Sequence, residues 1–133
     1  MKILIDARLY GLEHAGLGRY TMRLVQGLAR IDKMNSYVIL LSDRYFNRLK
    51  LPKSWIKEKA NFRHYTLAEQ LKLPRIIIKH KPDIVHFPHF NAPAFYKGKF
   101  VVTVHDLLMQ SYRGAKATTL PVYIYYPKQI GAK

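Results

Sequence analysis

The feature that most narrows the fold of this chain is a pair of unbroken apolar runs, Ile3-Leu4-Ile5 and Val38-Ile39-Leu40-Leu41. A strand with one wet face alternates apolar and polar residues, whereas an unbroken run suits a strand covered on both faces. Strands are read at residues 2–7, 37–42, 62–67, 83–87 and 99–107. Between the first two, Tyr20, Leu24, Leu28 and Ile31 fall at helical spacing, with Arg19, Arg23, Gln26 and Arg30 largely on the other side. Before the fourth, Thr66-Leu67-Ala68-Glu69 has the spacing of a capping box, and Pro74 is expected to kink or restart the helix that it opens. Strand, helix and strand in repetition predict an α/β, Rossmann-like open parallel sheet with helices on both faces and right-handed crossovers.

With 133 residues the chain has room for a single domain and about one core. No apolar run approaches the roughly 18–20 residues that a membrane span needs. The apolar run before Asp6 is only Ile3-Leu4-Ile5, too short for a secretory segment, so the cytoplasm is the expected location. The chain has no cysteine, which excludes a disulfide scaffold and a thiolate metal site. Twenty-three basic residues stand against 8 acidic ones, a net charge of +15. Such a surface attracts nucleic acid, anionic lipid headgroups or phosphorylated small molecules, and charge does not choose among them. In residues 44–60, Arg48, Lys50, Lys53 and Lys57 are interleaved with large apolar residues including Trp55. That pattern suits a patch adsorbing to an anionic membrane, and equally a helix lying on the sheet with a basic outer face.

In open α/β sheets the working residues gather at the carboxyl ends of the strands. Those ends offer Asp6, Asp43, His86, His89, Asn91, His105 and Asp106. The stretch Ala15-Gly16-Leu17-Gly18-Arg19 invites comparison with a dinucleotide fingerprint, but Thr21 stands where the third glycine belongs. Eight residues, Arg8 to Ala15, also separate the first strand from Gly16, where the fingerprint has a tight turn. A P-loop is excluded because no Gly-Lys-Ser/Thr sequence occurs. The remaining readings are a glycine loop that only permits a turn, or one that brings backbone N–H groups up to an anion. His86 and His89 lack a third ligand at a known spacing, so no metal is expected. His105 ends an apolar strand, and an imidazole there can position or polarise a hydroxyl or phosphate; the alternative is a core histidine bonded to a carbonyl. The tail opens like a helix at Thr118–Pro121 and then stops, so the sheet is expected to lack its last strand.

Five stretches, "KILIDARLYG", "AGLGRYTMRLVQGLARID", "YVILLSD", "KPDIVHFPHFNAP" and "KFVVTVHDLL", occur in order through nearly the whole chain. Together they resemble the amino-terminal half of retaining, family 4 glycosyltransferases of the GT-B fold. The resemblance implies two Rossmann-like domains across a cleft. The amino-terminal one mainly takes the acceptor, and the other, with paired glutamates, holds the nucleotide-sugar. It assigns the donor's diphosphate to Ala15, Gly16, Leu17, Gly18 and Arg19, although Ala15 departs from the family's glycine. It assigns the transferred sugar to His105 as the catalytic residue, and the acceptor side to His86, His89, Asn91 and Asp106. The implied partners are a nucleotide-sugar donor and a saccharide or lipid-linked acceptor, with no metal or other cofactor, and the implied location is cytoplasmic, peripheral at the inner membrane face. Without the second domain the chain alone is expected to be inactive. The alternative is a non-catalytic basic module for an anionic membrane or nucleic acid, the latter being the less expected partner. An unfinished sheet edge would also invite pairing with another chain.

Overall fold

The two unbroken apolar runs become neighbouring strands at the middle of a five-stranded, wholly parallel sheet in the computed structural model, which describes residues 1–105. The strands are β1 (Lys2–Asp6), β2 (Ser36–Leu41), β3 (Ile56–Lys59), β4 (Ile84–Phe87) and β5 (Phe100–Val102), in the spatial order β3-β2-β1-β4-β5. The helices are α1 (Ala15–Ile31), the single turn α2 (Asp43–Phe46) and α3 (Leu67–His80). Residues Met1–Thr103 form one unit; of the second, Val104–Lys133, only Val104 and His105 are described.

Each unbroken run feeds two cores. Leu4, Val38 and Leu40 join Val85, Phe87, Leu73 and Ile77 of α3 on one face. Ile5, Ile39 and Leu41 join Val25 of α1 and Trp55 on the other. Successive strand residues point to opposite faces, so covering both faces requires apolar residues at every position. From β1 the chain steps outward to β2 and β3, then returns past β1 to β4 and β5. The order therefore reverses between β1 and β4, the place where open α/β sheets bind ligands at their carboxyl ends.

Three expectations about local structure are corrected. Residues 62–67 are not a strand but the approach to α3, and the third strand is Ile56–Lys59, inside the segment expected to lie as a basic helix. β3 forms an edge of the described sheet, where lysines discourage further pairing and no apolar alternation is needed. Trp55, assigned to a membrane patch, is buried to 7% exposure against Tyr37, with ring centroids 4.1 Å apart. Lys57 of the same patch donates through Nζ to the carbonyls of Phe46 at 2.7 Å and Leu49 at 3.2 Å, closing the turn before β3. Arg48, Lys50 and Lys53 are exposed. Finally, Pro74 does not end its helix: α3 is continuous through it, with buried Leu73 and Ile77 anchoring the turns on either side.

The buried line of α1 runs through Gly18, Thr21 and Val25, and Ile31 is 71% exposed instead of facing the sheet. The rotation follows from Gly18, whose missing side chain lets the helix rest on the Gly11 backbone. β5 is shorter than residues 99–107, and Asp106 and the helix start at Thr118–Pro121 lie outside the described residues. Among the described residues no helix is long and apolar enough to cross a membrane.

As a core residue, Trp55 has a large effect when truncated. Trp55→Ala is expected to cost about 3–5 kcal/mol, measured by urea unfolding, whereas Lys53→Ala two residues away should leave the midpoint unchanged.

Candidate functional site

β1 delivers Asp6, Ala7 and Arg8, all buried, to the sheet's point of reversal. Arg8 meets Asp6 in a two-pronged pair, Nε to Oδ1 at 2.7 Å and Nη2 to Oδ2 at 2.6 Å. The same Nη2 donates to Oε1 of Glu69 at 2.6 Å, and the guanidinium lies over the Phe62 ring. Burial works against the charge on Arg8, but the facing carboxylates outweigh it and hold its pKa above the ordinary value.

Glu69 reaches this position because Thr66 caps α3, its Oγ1 accepting from the Glu69 N–H at 3.2 Å. The Glu69 carboxylate then accepts from the Tyr65 N–H at 2.7 Å and from Asn91 Nδ2 at 2.9 and 2.8 Å. Burial pushes the carboxyl up, but hydrogen bonds from His64 and Arg8, with the charge of Arg8, bring it down to about 2. His64 Nδ1 lies 3.3 Å from Glu69 Oε1. Asp6, His64, His89 and Asn91 line a cavity of about 10 Å³ together with Leu9, Phe87 and Pro88, roughly the room one water needs. Asn91 is therefore part of a buried floor, its amide committed to Glu69, and does not stand out on an acceptor surface.

Above this floor the rim is aromatic. His89 stacks on Phe90 at 4.2 Å and meets the Tyr65 ring edge-on at 6.0 Å. His86 of β4 is half-buried, and Nε2 lies 2.9 Å from Thr103 Oγ1, which is also 3.1 Å from the Tyr20 hydroxyl of α1. Burial lowers the pKa of His86, favouring the neutral ring. This chain of hydroxyls and imidazole ties α1 to the ends of β4 and β5.

The glycine stretch is not a loop. Ala15, Gly16, Leu17 and Gly18 form the first turn of α1, with Ala15 at a positive φ of 49°. Gly18 cannot carry a Cβ, which would strike the Gly11 carbonyl, whereas nothing lies within 4 Å of a Cβ on Gly16. Thr21, standing at the third glycine position, is buried and bonds back to the Leu17 carbonyl at 2.9 Å. No side chain caps this helix start, and no acidic residue lies in its first turn. Glu13 is drawn away by the Tyr45 hydroxyl at 2.7 Å and by Arg44 at 3.3 Å. Arg19 is exposed on the next position. Among the described residues no cluster of three or more His, Cys, Asp or Glu is arranged to hold a metal ion.

A parallel sheet with this strand order, a long first helix and a site at the reversal is joined by a direct match. Residues 14–129 fit the family model described as Glycosyltransferase Family 4. The chain belongs to glycosyltransferase family 4. No significant match was found among curated proteins or among solved structures. The matched region begins at His14, so it takes in α1 and every later described element of this family 4 domain.

Reading the sequence alone missed Arg8 and His64 and saw Glu69 only as a helix cap. Phe62 and Glu69 lie 54 and 61 residues from Arg8, so only the fold joins them to it. The one available signal was an arginine two residues after the aspartate that ends a buried strand, a place where a lone charge is untenable without a partner.

Removing one member of this cluster leaves the others unbalanced. Glu69→Gln is expected to cost about 3–5 kcal/mol in urea unfolding at neutral pH. The lowered pKa of Glu69 contributes stability that is fully present above about 4.5 and lost as pH falls towards about 2. Between those values the wild-type domain should lose stability more steeply than Glu69→Gln; parallel curves would contradict the assignment.

Proposed function

We propose that this family 4 domain serves the transfer of a sugar from a nucleotide-sugar donor to a saccharide or lipid-linked acceptor, with retention of anomeric configuration. The observation that supports this most is the open space over Gly16 at the uncapped start of a 17-residue helix. Backbone N–H groups at such a start, with the helix dipole behind them, favour an anion. The exposed Arg19 adds a mobile positive charge beside them. In this reading they meet the donor's diphosphate and stabilise the charge that grows on it as the bond to the anomeric carbon breaks. His86 and His89 take the acceptor side, and His105 takes the transferred sugar on the family resemblance. No metal is assigned a role. The reaction runs in the cytoplasm at a membrane face.

The base and ribose of the donor are assigned to a second domain, so residues 1–133 alone transfer no sugar. The alternative, a basic module without catalysis, draws on the net charge and on the basic residues of 44–60, where Trp55 is in the core, and gives Gly16 no role.

The two glycines separate fold from function. Gly18→Ala is expected to destabilise the domain by about 1–3 kcal/mol through the collision with Gly11. Gly16→Ala enters open space and raises helix propensity, so its stability should be unchanged or up by about 1 kcal/mol. In amide NMR titrations of the chain with UDP, GDP and ADP, the diphosphate they share is expected to shift Gly16, Leu17 and Gly18. Gly16→Ala should weaken that binding about tenfold, about 1.4 kcal/mol. Shifts that bypass these three amides would overturn the phosphate assignment, and release of nucleoside diphosphate from a sugar nucleotide by the chain alone would overturn the predicted inactivity.

A further inference from the structure

α3 is apolar on two sides. Leu73 and Ile77 face the core with Glu69. Leu67, Leu71 and Ile78 do not, and are 79%, 58% and 64% exposed. At about 100° per residue these three fall within an arc of about 40°, a straight apolar line along the helix. Pro74 continues the same line. Lys72, Arg75 and Lys79 follow beside it within an arc of about 60°, and the only carboxylate of α3 is buried Glu69. Lys79 is steadied by Glu58 at 3.1 Å, while Lys72 and Arg75 are exposed. At the far end a groove of about 450 Å³ lies between α3 and residues 93–98. Pro74, Ile78, Pro82 and Phe95 line it together with Lys81 and Lys97, and Phe95 is 74% exposed.

We propose that this outward face of α3, with the groove beside it, docks the protein on an anionic lipid bilayer. An apolar line flanked by a cationic column has the make-up of an interfacial helix, whose apolar side chains enter the acyl boundary while lysines and arginines meet lipid phosphates. Leu67, Leu71, Ile78 and Phe95 supply the first, and Lys72, Arg75, Lys81 and Lys97 the second. Charge selects this occupant over a second copy of the chain, because self-pairing brings two cationic columns and two molecules of net charge +15 together. A nucleic-acid backbone uses the cations but leaves the apolar line uncovered. The 48–57 segment lacks the needed anchor, since Trp55 is in the core and Lys57 is bonded to backbone carbonyls. This inference rests on the membrane face of the transferase reading and assigns it to α3. Its test needs neither donor nor acceptor, so its failure leaves the sugar-transfer reading standing.

The test is co-sedimentation of the 133-residue chain with phosphatidylcholine vesicles, with and without phosphatidylglycerol. Binding is expected only to the anionic vesicles and should weaken in about 0.5 M salt. Leu71→Gln with Ile78→Gln should weaken it about tenfold or more, and Lys72→Gln with Arg75→Gln should do so while reducing the salt dependence. All four positions face solvent, so circular dichroism should match wild type. Lys50→Gln with Lys53→Gln should bind as wild type. Unchanged binding by the Leu71/Ile78 variant overturns the proposal. So does an equal loss in the Lys50/Lys53 variant, which signals diffuse polycation adsorption. A Leu71/Ile78 variant that abolishes a dimer in analytical ultracentrifugation without altering vesicle binding assigns the face to a second copy instead.

Discussion

The guanidinium of Arg8 ties the end of β1 to segments of chain far away in the sequence. It is held by Asp6 at the end of β1, by Glu69 in the first turn of α3 and by the Phe62 carbonyl on the way into that helix. Through Glu69 it also reaches Asn91, beyond β4. Burying three charges is costly, and the cost is offset only where every donor and acceptor finds a partner at short range. A lysine offers one ammonium where two carboxylates and a carbonyl must be met from different directions, so the planar fork of arginine suits the position. The floor of the site therefore holds its shape through polar pairing at the one place where the sheet order reverses.

That floor divides the work around it. Asp6, Arg8, Glu69 and Asn91 are bonded to one another. The buried ring nitrogens of His64 find no well-aligned hydrogen-bond partner among the described residues, beside a cavity of about one water. What faces outward is different in kind: aromatic rings at Tyr65, His89 and Phe90 on one side, and the uncapped start of α1 on the other. Thr103, between the Tyr20 hydroxyl and the His86 ring, couples the second of these to the strands. A family 4 transferase domain must present a donor and an acceptor to each other. An ion-paired floor with dissimilar walls is one way to keep the two apart until they are aligned.

How much of this was legible in the residues depends on where the partner of each signal lies. β1 and β2 were legible because covering both faces demands apolar residues at every position, and β4 from the short run Ile84-Val85 closing on Phe87. β3 was not, because an edge strand of Ile56-Lys57-Glu58-Lys59 is under no such demand, and the neighbouring lysines looked like a surface helix. The cap of α3 was legible from Thr66 and Glu69, three residues apart. The second use of Glu69, as a counter-ion, was not, since Arg8 lies 61 residues away. Trp55 was misassigned for the same reason: its neighbours in sequence are charged, but its neighbour in space is Tyr37.

The two glycines of the first helix show how one spacing can answer two demands. Their separation resembles part of a dinucleotide fingerprint, in which glycines serve both the turn and the ligand. Here Gly18 is fully occupied by the fold, since its bare backbone is what lets α1 rest on Gly11. Gly18, Thr21 and Val25 are buried along the helix, and Ala15 and Gly16 are exposed at its start. Gly16, with nothing within reach of a side chain it lacks, is idle in the fold. A glycine costs helix stability at such a position and brings no packing in return. The open space its absent side chain leaves is why the proposed phosphate reading rests on Gly16 and not on the pair.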